Sequence, residues 1–176
     1  MKVSSIKTLI IVAFFGIFSF GFTPKFPDLK STTVYIFLSE TCPICQSYTL
    51  TLKELYEKYK EHNIKFVGVF PNYYSTQEGL DEFKKKYSIP FALTLDKKGI
   101  FTQHFKATTT PEVFVETADH QLKYSGRIDD TFYSLGKRRT VVTSAELADA
   151  LEAITSGREI KTPISQAVGC IITSSK

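Results

Sequence analysis

Residues 34–45 read Val-Tyr-Ile-Phe-Leu-Ser-Glu-Thr-Cys-Pro-Ile-Cys, an apolar run of β-branched and aromatic side chains that leads into two cysteines. The near-continuous apolar run Val34–Leu38 predicts a strand that is buried on both faces of a sheet. After the cysteines, apolar side chains recur every three or four positions with lysines and glutamates between them, which predicts a helix with one packed face. Those apolar positions are Ile44, Tyr48, Leu52, Leu55, Tyr56 and Tyr59. The cysteines therefore stand between a buried strand and the first turn of an amphipathic helix.

The spacing of Cys42 and Cys45 suits thiol–disulfide exchange in two steps. A helix that begins here directs free N–H groups and the positive end of its dipole at Cys42, which stabilises a thiolate there. Cys45 lies one turn deeper on the same side, so it can attack a mixed disulfide at Cys42 and close the intramolecular bond. Pro43 fits the first helical turn, and Pro43 and Ile44 together tune how strongly the dithiol form is favoured.

The competing interpretation of the pair is half of a zinc site, which needs two further Cys or His ligands. The chain offers only Cys170 and three histidines for that role. His62 lies near a predicted helix end and His120 in a predicted turn, so both are expected at the surface. His104 is the least easily dismissed ligand, and we expect redox chemistry without a metal or a cofactor.

The composition fits one globular domain, with 176 residues of which 43% are apolar and 14% aromatic. The formal net charge is +4, and two of the 22 basic residues, Lys2 and Lys7, lie in the N-terminal segment. The rest of the chain is almost neutral, which argues against nucleic acid as a partner.

The N-terminal segment is typical of an export signal. Lys2 and Lys7 precede the uncharged apolar run Thr8–Phe22, and cleavage is expected after Gly21. The alternatives are an uncleaved anchor, which would tether the protein to a membrane through residues 1–22, and a buried helix of a cytosolic protein. The run is short for a membrane span, which needs about 20 apolar residues. We expect an exported, periplasmic protein.

The remaining chain alternates apolar runs with amphipathic stretches, as βαβ units around a central sheet do. Strands are predicted over residues 64–70, 91–95, 113–116 and 122–125, and the last two form a hairpin. Two further helices are predicted behind the capping-box pairs Ser75/Glu78 and Thr143/Glu146. We expect residues 1–21 to be a signal peptide or anchor, residues 24–157 to be one domain, and residues 158–176 to be an irregular C-terminal extension.

These features resemble the thioredoxin-like superfamily, in particular exported bacterial thiol–disulfide oxidoreductases and redoxin (AhpC/TSA-like) domains, over Phe26–Ile128. Thr110-Pro111, ahead of a strand, is similar to the cis-proline loop that faces the cysteine pair in that fold; the alternative is a simple trans turn. The resemblance implies an α/β fold with a central mixed sheet flanked by helices, and a cis Pro111. It also implies that the backbone of Thr110 pairs with an extended client strand near Cys42.

By the same resemblance the substrate-binding positions are Thr110, Pro111, Pro43 and Ile44. The implied partners are client proteins with cysteines or disulfides and an upstream thiol that donates electrons.

The chain departs from the family where a buried proton acceptor is usual. Glu40-Thr41 stands where thioredoxins carry a tryptophan, Ile36 replaces their buried acid, and Tyr48 replaces the glutamate of the cytochrome-maturation reductases. The proton of Cys45 must then go to water, to Glu40, to the Tyr48 hydroxyl or to an acid from a distant loop.

Two functions are compatible with these residues. The first is thiol–disulfide exchange on client proteins outside the cytoplasm, in the reducing direction by similarity to maturation reductases. The alternative is a copper-binding metallochaperone-like relative in which Cys42 and Cys45, with or without His104, hold Cu(I). Those relatives carry three residues between their cysteines, so the enzyme ranks first. A peroxidase is disfavoured, because Tyr35 and Ser39 stand where peroxiredoxins carry Pro and Thr.

The third cysteine lies in Val168–Ile172, a small apolar patch in a polar tail. Cys170 is either a buried thiol that helps the tail to dock or an exposed thiol that forms a mixed disulfide with Cys42 or with another chain. The docking role is favoured.

Overall fold

The structure, a computed structural model, describes residues 31–173 of the chain. The expected signal or anchor, residues 1–21, lies outside these residues. No helix in the described range is long and apolar enough to cross a bilayer.

The fold centres on a five-stranded mixed sheet with the order β3-β2-β1-β5-β6. Strands β1, β2 and β3 run parallel, whereas β5 pairs antiparallel with both β1 and β6. The strands are β1 (Thr32–Phe37), β2 (Ile64–Phe70), β3 (Ala92–Leu95), β4 (Thr109–Thr110), β5 (Glu112–Thr117), β6 (Leu122–Gly126), β7 (Phe132–Ser134), β8 (Lys137–Arg138) and β9 (Cys170–Ile171). The helices are α1 (Pro43–Ser47), α2 (Thr49–Tyr59), α3 (Gln77–Tyr87), α4 (Ile100–Phe105) and α5 (Glu146–Thr155).

Strand β1 is buried on both faces, as its apolar run predicts. Val34 and Ile36 belong to the larger hydrophobic cluster, which also contains Leu52 of α2 and Leu147 of α5. Phe37 belongs to a second, smaller cluster, against which side chains of α4 pack. The central strand therefore carries the cysteine pair on a rigid support, since both of its faces are packed.

The predicted single helix after the cysteines is two helices with a break at Tyr48. Ser47 Oγ donates a hydrogen bond to the Pro43 carbonyl over 2.9 Å, and Thr49 Oγ1 donates to the Gln46 carbonyl over 2.8 Å. Side-chain hydroxyls that bond to the preceding turn in this way bend a helix. The apolar pattern continues through the break, which is why it predicts one helix.

Both predicted capping boxes are wrong in detail. Helix α3 is capped by Thr76, whose side chain accepts from the N–H of Gly79 over 3.1 Å, while Ser75 instead donates to Glu40. Helix α5 has no side-chain cap, because Thr143 bonds to Asp130. In each case the hydroxyl that the local motif assigns to the helix N terminus instead donates a hydrogen bond to a carboxylate from elsewhere in the fold, and that carboxylate is buried or partly buried.

Helix α4 is absent from the sequence prediction. It begins after Gly99, which has a left-handed φ of 66°, and the carboxylate of Asp96 accepts hydrogen bonds from the N–H groups of Phe101 and Thr102. This short helix covers the second face of the sheet.

The C-terminal extension is more regular than predicted. Ile164 forms a parallel bridge with Ser125 of β6, and Cys170–Ile171 form β9 against β4. A two-residue strand has no periodicity of its own, so only its partner defines it.

Candidate redox site

The cysteine pair lies where the sequence predicts it, just beyond the end of β1. Cys42 is the N-cap of α1, with an extended backbone (φ −81°, ψ 115°), and Pro43 takes the first helical position. Cys45 is fully buried one turn further on. All three cysteines of the chain are free thiols in this structure.

Cys42 is held mainly as a thiolate by neighbouring thiols. A hydrogen bond from the Cys45 side chain lowers the pKa of Cys42 to about 5, and a smaller hydrogen bond from Cys170 acts in the same direction. Burial opposes this shift. The backbone of Cys45, in the first turn of α1, also lowers the pKa of Cys42, but by less than the Cys45 side chain does. This is the effect that the sequence predicts for a helix N terminus. Because these donors favour the charged form, Cys42 is the thiol of the pair better suited to act as a nucleophile.

The surroundings of Cys45 shift its pKa in the opposite direction. Burial raises its pKa well above the usual range, and the hydrogen bond and negative charge of Cys42 raise it further. The two thiols therefore keep one proton between them at neutral pH, and that proton resides on Cys45.

The cis-proline loop faces this pair as predicted. The Thr110–Pro111 peptide bond is cis, and both residues are buried. In its thiol form Cys42 donates a hydrogen bond to the Thr110 carbonyl, with 3.3 Å between Sγ and O. This contact opposes ionisation, because it favours the neutral thiol.

Of the four predicted substrate-binding residues, only Pro43 is exposed. Ile44 is 7% exposed and belongs to the main hydrophobic cluster, so it supports the pair from the core side. This agrees with the packed helix face on which the apolar pattern places Ile44, and not with the substrate-binding position that the resemblance implies. Thr110 and Pro111 adjoin the pair but are covered.

The C-terminal extension docks at the site. The sequence favours docking of this tail through Cys170 but does not predict where it docks. Cys170 of β9 pairs with Thr110 of β4, and the N–H of Ile172 donates to the Thr108 carbonyl over 3.0 Å. As a result Cys42 is only 2% exposed. We expected an accessible nucleophile; here it lies beneath the chain's own tail.

A buried tyrosine–aspartate pair lies beside the cysteines. Tyr48, three residues beyond Cys45, donates a hydrogen bond to Asp129 Oδ1 over 2.6 Å, and both residues are buried. Burial and then Asp129 raise the pKa of the Tyr48 phenol, so the phenol keeps its proton and offers no phenolate to accept the proton of Cys45. Asp129 comes from the loop after β6, a part of the chain that the sequence pattern does not associate with Tyr48.

His104 does not join the cysteines. Its Nε2 lies 2.8 Å from Glu116 Oε1 on β5. Glu116 pairs with Thr33 at the start of β1, whereas the cysteines follow the end of that strand. Within residues 31–173 no group of three His, Cys, Asp or Glu side chains is arranged to hold a metal ion. His104 is therefore not placed to serve as a third ligand beside Cys42 and Cys45.

A mixed five-stranded sheet, a Cys-x-x-Cys pair beyond its central strand and a cis-proline loop facing that pair together define a thioredoxin-like oxidoreductase. Within this class the chain belongs to the Redoxin family, whose model matches residues 25–135. The resemblance predicted from the sequence is thus confirmed, and the protein is an oxidoreductase of thiol–disulfide type. No curated protein matches the chain.

Solved structures share the fold at low sequence identity. The hypothetical protein SMc02350 from Sinorhizobium meliloti 1021 is 24% identical with a TM-score of 0.73, and the match covers 84% of this chain and 81% of that one. An uncharacterized conserved protein from Geobacillus kaustophilus is 24% identical with a TM-score of 0.70, covering 84% and 80%. StoA from Bacillus subtilis is 21% identical with a TM-score of 0.50, covering 56% and 75%.

Proposed function

We propose that this protein exchanges thiols and disulfides with client proteins outside the cytoplasm through Cys42 and Cys45, and that it reduces them. The observation that carries this proposal is the position of Cys42 at the N-cap of α1 with the buried Cys45 one turn deeper, where the pKa of Cys42 is lowered and that of Cys45 is raised. Export rests on the N-terminal segment alone.

In the reducing direction, the Cys42 thiolate attacks a client disulfide and forms a mixed disulfide, and the first client sulfur leaves as a thiolate. Cys45 then loses its proton and attacks Cys42 Sγ, which releases the second client sulfur and closes the Cys42–Cys45 bond. Two electrons pass to the client, and an upstream dithiol returns them. Asp129, hydrogen-bonded to Tyr48 three residues beyond Cys45, is our candidate for the group that receives its proton.

The direction comes from the family resemblance, and one feature acts against it. A stabilised Cys42 thiolate favours the dithiol form and so raises the reduction potential. We expect a value nearer to about −270 mV, as in thioredoxin, than to about −120 mV, as in DsbA. A potential near the second value reverses the direction without removing the exchange.

The test of exchange uses insulin and glutathione disulfide as clients. We expect Cys42→Ser to abolish turnover. We expect the double variant Cys45→Ser/Cys170→Ser to lose turnover but to trap the client on Cys42, located by peptide mass mapping. Turnover by Cys42→Ser at the wild-type rate, or a double variant that traps no client, would overturn the proposal.

A further inference from the structure

The C-terminal segment lies where a client strand is expected to bind. Residues Cys170–Ile171 form an antiparallel pair with Thr109–Thr110, immediately before the cis Pro111. Main-chain pairing at an open strand edge is how extended peptides bind to domains of many kinds. The chain thus fills its own client position.

The fit of this segment is close at Gly169, where there is no space for a side chain. A Cβ atom added at Gly169 would lie 2.1 Å from the Thr110 carbonyl oxygen and 3.0 Å from Pro111 N, both backbone atoms. Beyond β9, the N–H of Thr173 donates to Asn72 Oδ1 over 2.8 Å, and the N–H of Tyr73 donates to the Thr173 carbonyl over 3.0 Å. The segment is therefore held on both sides of Cys170.

The pairing turns the Cys170 side chain toward Cys42. Successive side chains of a strand point to opposite faces. Ile171 is 81% exposed, whereas Cys170 is half-buried and packs on the main hydrophobic cluster, which includes Cys42. The Cys170 thiol hydrogen-bonds to Cys42 in the reduced protein.

We propose that Cys170 is a third redox-active residue, an internal client thiol that exchanges with Cys42 to form a Cys42–Cys170 disulfide. This inference rests on the proposed function of Cys42 as the nucleophile.

The exchange is balanced without an outside oxidant. In the oxidised protein the Cys170 thiolate attacks Cys42 Sγ, the Cys42–Cys45 bond breaks and the Cys42–Cys170 bond forms. Cys45 leaves as a thiolate and takes up the proton that Cys170 has lost, so no electrons are gained or lost overall. In the reduced protein burial and then Cys42 raise the pKa of Cys170 to about 12. Oxidation of Cys42 removes its negative charge, and this removes part of the rise in the pKa of Cys170.

The test uses the full chain carrying Cys45→Ser, equilibrated in glutathione buffers of different ratio. We expect an intramolecular disulfide, seen as the loss of two hydrogen atoms by mass and mapped to Cys42 and Cys170. The matched control is Cys45→Ser/Cys170→Ser/Ile171→Cys, which moves the thiol by one position to the exposed face. We expect its effective thiol concentration toward Cys42 to be at least about tenfold lower.

A second variant addresses the docking of the segment. Gly169→Val in the Cys45→Ser background keeps both thiols but has no space for its side chain, so we expect a similar fall in effective concentration. Equal effective concentrations in Cys45→Ser and the Ile171→Cys control, or glutathione bound at Cys42 as the stable product of Cys45→Ser, would overturn the inference. The proposed function is judged separately, because the Cys45→Ser/Cys170→Ser variant traps a client whether or not Cys170 reacts.

Discussion

At the scale of single residues, the chemistry depends on which neighbours share protons with Cys42. Two thiols donate to its sulfur and favour the charge, while the Thr110 carbonyl accepts only from the neutral thiol. The donors prevail, since the pKa of Cys42 falls to about 5. A pKa that is lowered in the folded state makes folding stability depend on pH.

The first prediction is that the reduced protein becomes more stable relative to Cys42→Ser as pH rises from 5.5 to 8. Between the folded pKa of about 5 and the ordinary value of 9.0, the unfolded chain holds the proton that the folded chain has lost. The gain is at most about 1.4 kcal/mol per pH unit, and it disappears below the folded pKa. Urea unfolding measures it. The oxidised protein, which has no Cys42 thiol, should not show it, and a parallel rise there would contradict the assignment.

A second prediction concerns the Tyr48–Asp129 pair. Tyr48→Phe removes the donor to a buried carboxylate, so we expect a loss of about 1–3 kcal/mol in the free energy of unfolding. Tyr73→Phe is the control, because Tyr73 is 56% exposed and its change should stay within about 0.5 kcal/mol. Equal effects of the two substitutions would show that the Tyr48 hydroxyl contributes nothing to stability.

At the scale of elements, the site is made by a strand that comes from far along the chain. Cys170 lies 60 positions from Thr110, and only the edge presented by β4 makes residues 170–171 a strand. The cover over Cys42 is therefore a docked segment, held by a few hydrogen bonds, rather than part of the sheet core. Segments of this kind open with a smaller free energy than the core does.

This gives a third prediction, on the accessibility of Cys42. Gly169→Val should undock β9, since a Cβ at this position meets the Thr110 carbonyl, and should speed alkylation of Cys42 at least about tenfold, the factor for a loss of 1.4 kcal/mol. Iodoacetamide labelling followed by peptide mass mapping measures the rate at Cys42 alone. Gly136→Ala is the control: it strains the turn between β7 and β8, where φ is 70°, but its added Cβ meets nothing within 4 Å and lies outside β9. Unchanged labelling in Gly169→Val would mean that something other than β9 protects Cys42.

The elements that the sequence predicts well are those defined by their own side-chain pattern. Strand β2 matches the predicted range 64–70, and the β5–β6 hairpin and the cysteine pair lie where expected. Helix α4 escapes prediction because its start depends on the Asp96 carboxylate, and β9 because its partner is distant. The same distinction applies to the site residues. Cys42 and Cys45 form a local motif that the sequence shows directly, whereas the positions of Asp129 and Cys170 depend on tertiary packing.

At the scale of the whole molecule, the extension is anchored to the domain at two places. Near β6, Ser165 bonds to Ser125, to the Tyr124 hydroxyl and to the N–H of Arg127; at the active site, β9 pairs with β4. Arg127 also connects this anchor to α5, because its side chain forms an ion pair with Glu146. The domain, the last helix and the tail thus share one set of interactions.

The fourth prediction separates the electrostatic part of that network from the docking of the tail. Burial raises the pKa of Glu146, but the hydrogen bond and charge of Arg127, together with smaller hydrogen bonds from Ser144 and the backbone, leave the pKa lowered. The second carboxylate oxygen has no hydrogen-bond partner among residues 31–173. Arg127→Met leaves this buried charge unpaired, so we expect a loss of about 3 kcal/mol at pH 7. The wild-type advantage is present above the ordinary pKa of a glutamate and should shrink as pH falls through it, because protonation then neutralises Glu146 in the variant.

Urea unfolding at pH 7 and pH 4 measures this loss, and Arg139→Met is the control. Arg139 pairs with Asp130 over 3.1 Å but is half-exposed, so its removal should cost clearly less. The Arg127 backbone N–H that holds Ser165 is unchanged in the variant, so Cys42 should stay protected from iodoacetamide in the folded protein. If Arg127→Met instead exposed Cys42 as fully as Gly169→Val does, the cover over the active site would depend on the ion pair beneath the tail rather than on the backbone pairing of β9 with β4.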